Sequence, residues 1–157
     1  MKVTVEISRG ATASWEPDQA QCEAWINQAL QQSSVSGAVS VSLRFVGTDE
    51  SAALNTMFRS KNGPTNVLSF PTEMPQSAVE ALGYQALGDI VICSNLVETE
   101  AEQQKKGLPA HWAHLIIHGT LHLLGHDHQE DASARAMEGL EIIALERLGF
   151  PNPYLIG

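Results

Sequence analysis

All six histidines of this chain, His111, His114, His118, His122, His126 and His128, fall within 18 consecutive residues. The same stretch carries Trp112, Leu115, Ile116, Leu123 and Leu124, opens at Pro109 and runs to Gly125, which predicts one helix. On a helix His118 and His122, four positions apart, stack on one face about 6 Å apart along the axis. Any fold has to bury the apolar face of this helix and leave its histidine face usable. Neutral imidazole is the commonest metal ligand among side chains, so the chemistry is expected here.

Glycine accepts the left-handed conformation at a helix end, so the chain can leave the helix at Gly125 and bring His128 back toward the other two rings. Three nitrogens around one ion, with a fourth position open to water, is the layout of a catalytic zinc site. The spacing H-x-x-x-H-x-x-G-x-x-H equals that of the metzincin proteases, but those enzymes place a glutamate base directly after the first histidine, where this chain has Gly119. Metal geometry is expected; the proteolytic base is missing. His126 reads as a solvated or packing residue, and His111 and His114 continue the His118 face toward the mouth of the site. Asp127 is a candidate to orient a ligand ring or carry a proton, with turn capping as the alternative.

At 157 residues, 43% hydrophobic and 17% charged, the chain is expected to form one domain, residues 1–157, and not a disordered polymer. No apolar run approaches the roughly 18 residues of a membrane span. Met1 to Ile7 alternates like a strand and lacks a signal-peptide core, which predicts an unsecreted, cytoplasmic protein. Cys22 and Cys93 show no C-x-x-C spacing and read as buried free thiols. Nine Lys+Arg against 18 Asp+Glu give 9 − 18 = −9, which argues against broad adhesion to nucleic acid or anionic membrane.

Strands are predicted at 2–8, 39–46, 66–70 and 87–93. Helices are predicted from Glu16 to about Gln32, with Ala20, Trp25, Ala29 and Leu30 inward, and from a Thr48 cap to near Lys61. Others run from an Asn95–Glu98 capping box to Lys105-Lys106-Gly107, from Pro109 to Gly125, and from an Asp131 cap with Met137, Leu140, Ala144 and Leu148 inward. Residues 71–86 read as a long loop. Four strands interleaved with about five helices make an α/β (α+β) layered domain with a four-stranded mixed sheet.

The run His118-Gly119-Thr120-Leu121-His122-Leu123-Leu124-Gly125-His126-Asp127-His128 resembles the hallmark of the YbeY family of metal-dependent endoribonucleases, which act in ribosomal RNA maturation. Leu54-Asn55, Phe58-Arg59-Ser60-Lys61, Pro64 to Pro71 and Gly88-Asp89-Ile90 agree in the expected order. The resemblance implies a metalloprotease (zincin)-like fold and one zinc ion on His118, His122 and His128. It also implies a functional arginine at Arg59, single-stranded RNA as substrate, and processing of the small-subunit ribosomal RNA 3′ end. The ribosome or its small subunit is the expected partner, and the chain itself is expected to be a monomer.

Arg44, Arg59 and Lys61 would supply a local basic wall within an acidic protein, and Arg59 would stabilise charge on phosphorus oxygens. Asp127 is the candidate proton carrier. Two other readings stand beside this one: a zinc peptidase that finds its base elsewhere, and a non-catalytic ribosome-assembly factor with a structural metal, for which His126 would be the fourth ligand.

Overall fold

The computed structural model describes residues 3–10, 13–33, 35, 37–126 and 130–155, so Asp127 and His128 lie outside the described residues. In chain order the elements are β1 (Val3–Arg9), α1 (Gln19–Gln32), β2 (Val39–Val46), α2 (Thr48–Arg59) and β3 (Val67–Pro71). After these come α3 (Gln76–Leu82), β4 (Gln85–Cys93), α4 (Ser94–Gln103), α5 (Leu108–Leu123) and α6 (Asp131–Arg147). Strands follow the order β1-β2-β4-β3; β1, β2 and β4 run parallel, and β3 pairs antiparallel with β4 at the edge. The sheet is mixed and four-stranded as expected, with six helices among the described residues instead of about five. The extra helix is α3, inside the segment read as a loop. None of its residues is buried, so it carries no apolar periodicity for a sequence reading to find.

Period-two alternation in β2 puts Val39, Val41, Leu43 and Phe45 into the core while Ser40, Ser42 and Arg44 face outward. α5 packs on this layer and against α1, α4 and α6, with Trp112, Ile116, Ile117 and Leu121 fully buried. Phe45 meets Trp112 edge to face at 4.8 Å between ring centroids, which locks α5 to the sheet directly below the histidine segment. No helix among the described residues is long and apolar enough to cross a membrane. Cys22 and Cys93 are free and buried, and burial pushes the Cys22 thiol up to about 12.

Several helix starts differ from expectation. Asp18 caps α1, forming a reciprocal capping box with Gln21, so Glu16 and Pro17 lie before the helix. With that start Ala20 is exposed, and Cys22 and Ile26 join Trp25, Ala29 and Leu30 inside. Gly47, Cys93 and Glu130 take the cap positions of α2, α4 and α6, and none of them donates or accepts a side-chain cap bond. Thr48, Asn95 and Asp131 therefore do not act as caps. Glu98 instead accepts from the Ser14 hydroxyl at 2.7 Å and from the Ser14 and Trp15 amides at 2.7 and 3.2 Å, fastening the segment before α1 to α4.

Gly88 is dictated by close approach. Its φ is +142°, the pairing of β2 with β4 slips between Ser40 and Val41, and Leu87 is the extra residue. A Cβ on Gly88 would collide with the Phe70 carbonyl and lie 2.9 Å from Pro71 Cα. Gly88→Ala is therefore expected to loosen β3 and cost at least about 2 kcal/mol, read as a lower urea midpoint with unchanged m.

The Ser14 hydroxyl, and then the two amides, hold the Glu98 carboxyl below its usual value despite some burial. A depressed native pKa stabilises above the unfolded value of about 4.3 and is lost as pH falls through the native one. Glu98→Gln is thus expected to melt lower than the parent at pH 7, with the gap closing in acid; a constant gap across the titration would contradict the assignment.

Candidate active site

α5 presents one polar stripe, and the partners of that stripe come from other helices. His111 Nε2 lies 2.9 Å from Glu100 Oε1 on α4. His114 Nε2 lies 2.8 Å from Glu141 Oε1 on α6, and His118 Nδ1 lies 2.6 Å from Glu141 Oε2. The Tyr154 hydroxyl donates to the same Glu141 Oε1. Glu141 is 0% exposed, so it is a buried carboxylate with three donors around it. Burial would raise its pKa, but the hydrogen bonds from His114 and His118 and from the Tyr154 hydroxyl outweigh that and hold it at about 2. Burial, and then the Glu141 hydrogen bond and charge, push the Tyr154 hydroxyl above its usual range.

That carboxylate fixes the chemistry of His118. Because Nδ1 faces Glu141, the ring donates from Nδ1 and presents the lone pair of Nε2 on its other side. His118 Nε2 and His122 Nε2 converge to 3.1 Å, with the two ring centroids 4.6 Å apart. Two ligands of one tetrahedral ion with metal–nitrogen bonds of about 2.05 Å sit about 3.3 Å apart, so the donor pair suits a shared ion. Among the described residues no group of three His, Cys, Asp or Glu side chains is placed to hold a metal, and His128 lies outside them.

The two histidines line a recess of about 700 Å³ that Asn55, Arg59 and Lys61 also wall, together with Ser69 and Pro71 of β3. The wall is braced from below. Asn55 Nδ2 donates to the Gly63 carbonyl at 2.9 Å, and the Ser51 hydroxyl donates to the Thr65 carbonyl at 2.8 Å while accepting from the Thr65 amide at 2.9 Å. Both side chains are buried, so the loop after α2 is tied to the helix before it. Arg44 stands apart from this wall: it pairs with Glu50 on the surface and does not line the recess.

Gly119 lies at the helix–sheet contact. A Cβ there would come within 2.9 Å of Ile90 Cγ2 and 3.2 Å of Ser69 Oγ, and Ser69 donates to the Gly119 carbonyl at 3.1 Å. The position that holds the base in metzincin-type sites here has no room for a side chain. His126 is turned away, its Nε2 lying 3.2 Å from the Ser33 hydroxyl beyond the end of α1. Asp127 and His128, expected as proton carrier and third ligand, fall outside the described residues.

Glu141 and Tyr154 are functional-site residues that sequence reasoning missed. The signal for Glu141 was a carboxylate in register with Met137, Ala144 and Leu145, four, three and four positions away, on a face that is otherwise buried and apolar. Tyr154 carried no local signal, because its partner lies in another element.

A histidine pair that shares its recess with an arginine and a lysine, carried on an α+β layer, makes a site suited to an anionic substrate. The family model "Endoribonuclease YbeY" matches residues 6–149. A protein of that name from Nitrosococcus oceani is 44% identical over 154 residues, 98% of each chain. Another from Alcanivorax borkumensis is 46% identical over 152 residues, 96% of this chain and 86% of its own. The solution structure of TM1509 from Thermotoga maritima superposes with a TM-score of 0.56 at 26% identity, covering 92% of this chain and 89% of that one. The chain belongs to the YbeY family, a family of RNA-cleaving hydrolases.

Removing the carboxylate behind His118 should release that ring. Glu141→Ala is expected to weaken zinc binding about 10- to 100-fold by competition with a chromophoric chelator, and Glu141→Gln to weaken it less. Equal zinc affinity in the parent and both variants would separate Glu141 from the metal site.

Proposed function

We propose that this chain, acting as a single domain, is a zinc-dependent endoribonuclease specific for single-stranded RNA. Its place of action is the cytoplasm, as a monomer, on ribosomal RNA presented by the small subunit, in 3′-end maturation and ribosome quality control. The observation that carries the reading is the convergence of His118 and His122 at 3.1 Å in the same recess as Arg59 and Lys61. His118, His122 and His128 would hold the ion. When bound, zinc supplies Lewis acidity toward a phosphate oxygen and toward an attacking water.

The chain's own groups do the rest. Arg59 offers two parallel N–H donors to phosphate oxygens and gathers charge as it builds on phosphorus, while Lys61 adds a compact positive charge beside it. Glu141 keeps His118 in the tautomer that points Nε2 into the recess. Gly119 leaves no space for an adjacent carboxylate base, which turns the reading away from peptide hydrolysis and leaves proton transfer to Asp127. The contact of His126 with Ser33 argues against a closed four-ligand site built with that residue.

The test places wild type, His122→Ala and Arg59→Ala on one labelled single-stranded RNA, with zinc content measured for each. His122→Ala is expected to lose both zinc and cutting. Arg59→Ala should keep its zinc and cut about 100-fold more slowly, the scale of one lost donor at a developing oxyanion. A 5′-phosphate product assigns water as nucleophile, and a 2′,3′-cyclic phosphate assigns the RNA's own hydroxyl. Equal cutting by wild type and His122→Ala would reject the reading.

A further inference from the structure

We infer that the recess walled by Lys105, Lys106 and Tyr154 is a second strand-binding subsite, which takes a nucleotide of the same single-stranded RNA away from the cleaved bond. The inference rests on the endoribonuclease reading and extends it along the substrate.

The recess is continuous with the site. A narrow stretch of about 250 Å³ shares Asn66, Val67 and His118 with the histidine recess, and Lys106, His114 and Tyr154 with a third recess of about 610 Å³ that also includes Lys105. The chain has only nine basic residues against 18 acidic ones, yet four of the nine, Arg59, Lys61, Lys105 and Lys106, line this one trough. Among the described residues neither Lys105 nor Lys106 makes an ion pair. A polyanion therefore meets positive charge at both ends of the trough and an acidic surface around it.

The two cation pairs are displayed in the same way. Each lies at a helix end closed by a residue other than glycine in the left-handed region, Ser60 at φ 55° after α2 and Lys105 at φ 55° after α4. The Lys61 amide then reaches back to the Asn55 carbonyl, and the Lys106 amide to the Ala101 carbonyl. A left-handed backbone is strained for a residue with a Cβ, and glycine would remove that strain. At Lys105 the chain bears the strain and retains a side chain at the rim.

Tyr154 supplies the apolar half of a nucleotide site. Its hydroxyl is held by Glu141 and its ring stands edge-on to His114 at 5.4 Å between centroids, yet 42% of the residue is exposed. A ring already fixed in place stacks a base with little further loss of entropy. Among the described residues the carboxylate that lines the trough is Glu100, and it is engaged by His111 and by Asn66 at 3.1 Å. Burial would raise Glu100, but those bonds and the nearby charges of His111 and Lys106 hold it below its usual value. It stays a carboxylate, so phosphates are drawn to the lysine rim and not to the floor.

The test compares zinc-loaded wild type with Lys105→Ala/Lys106→Ala and with Arg147→Ala, a charge-loss control on α6 that lines none of the three recesses. Substrates are single-stranded RNAs of about 4 and about 12 nucleotides, bracketing the span of one small binding groove. The lysine variant is expected to raise KM for the longer RNA five- to tenfold with kcat within twofold, and to lose less on the shorter one. Its slope of log affinity against log salt should fall by about 1.4, two contacts at about 0.7 each for a single strand. An unchanged KM, or an equal rise in Arg147→Ala, overturns the subsite while leaving the nuclease intact. If wild type cuts neither RNA, the nuclease reading falls, and fluorescence anisotropy with the longer RNA decides the subsite. Weaker binding by the lysine variant then supports it, and equal binding overturns it.

Discussion

A helix enclosed on most of its circumference carries polar groups at least cost where something meets them. α5 lies between the sheet and α1, α4 and α6, and its polar stripe is His111, His114, His118 and, at its last turn, His122. An unsatisfied buried polar group costs roughly 1–3 kcal/mol, so packing and chemistry are one problem here. Glu100 from α4 answers His111 Nε2, and Glu141 from α6 answers His114 Nε2 and His118 Nδ1, while among the described residues nothing meets the buried Nδ1 of His111 or His114. The contact that lets α6 seal the core is also the one that sets the tautomer of a candidate metal ligand. Core and site would therefore fail together if α6 moved.

Much of this was legible one-dimensionally where a single element carries the pattern. Alternation predicts 39–46, as found for β2, and 2–8, while short apolar runs predict 66–70 and 87–93; these three lie within two residues of β1, β3 and β4 at each end. The histidine spacing put His118 and His122 on one face of a helix, as found. Misreadings cluster where the deciding contact is tertiary. Asn95 and Glu98 have capping-box spacing, but Glu98 is more strongly engaged by Ser14, 84 residues away. Thr48 and Asp131 are good caps by type, but the chain enters each helix one residue earlier. A carboxylate on a helix normally signals water, so Glu141 concealed its role until α6 was seen against α5.

The basic wall was also only partly readable. Arg44, Arg59 and Lys61 are near one another in sequence, but Arg44 lies on β2 and the other two at the far end of α2, and Arg44 is occupied by Glu50 on the outer surface. What ties the loop after Lys61 back to α2 is a set of uncharged hydrogen bonds from the buried Ser51 and Asn55 to Thr65 and Gly63. The acidic composition of the whole then sharpens the preference, since repulsion elsewhere leaves few competing places for a polyanion to settle.

Gly119 gives the fold an evolutionary boundary. Side-chain spacing of this kind serves peptide hydrolysis when a glutamate follows the first histidine, and a glycine codon can become a glutamate codon by one base change. In this chain that change would drive a side chain into Ile90 and Ser69, where α5 rests on the sheet. A lineage moving from one chemistry to the other would first have to hollow out β3 and β4, losing stability before any activity was gained. The two chemistries are neighbours in sequence space and distant in packing space, which makes a passage between them by single viable steps improbable.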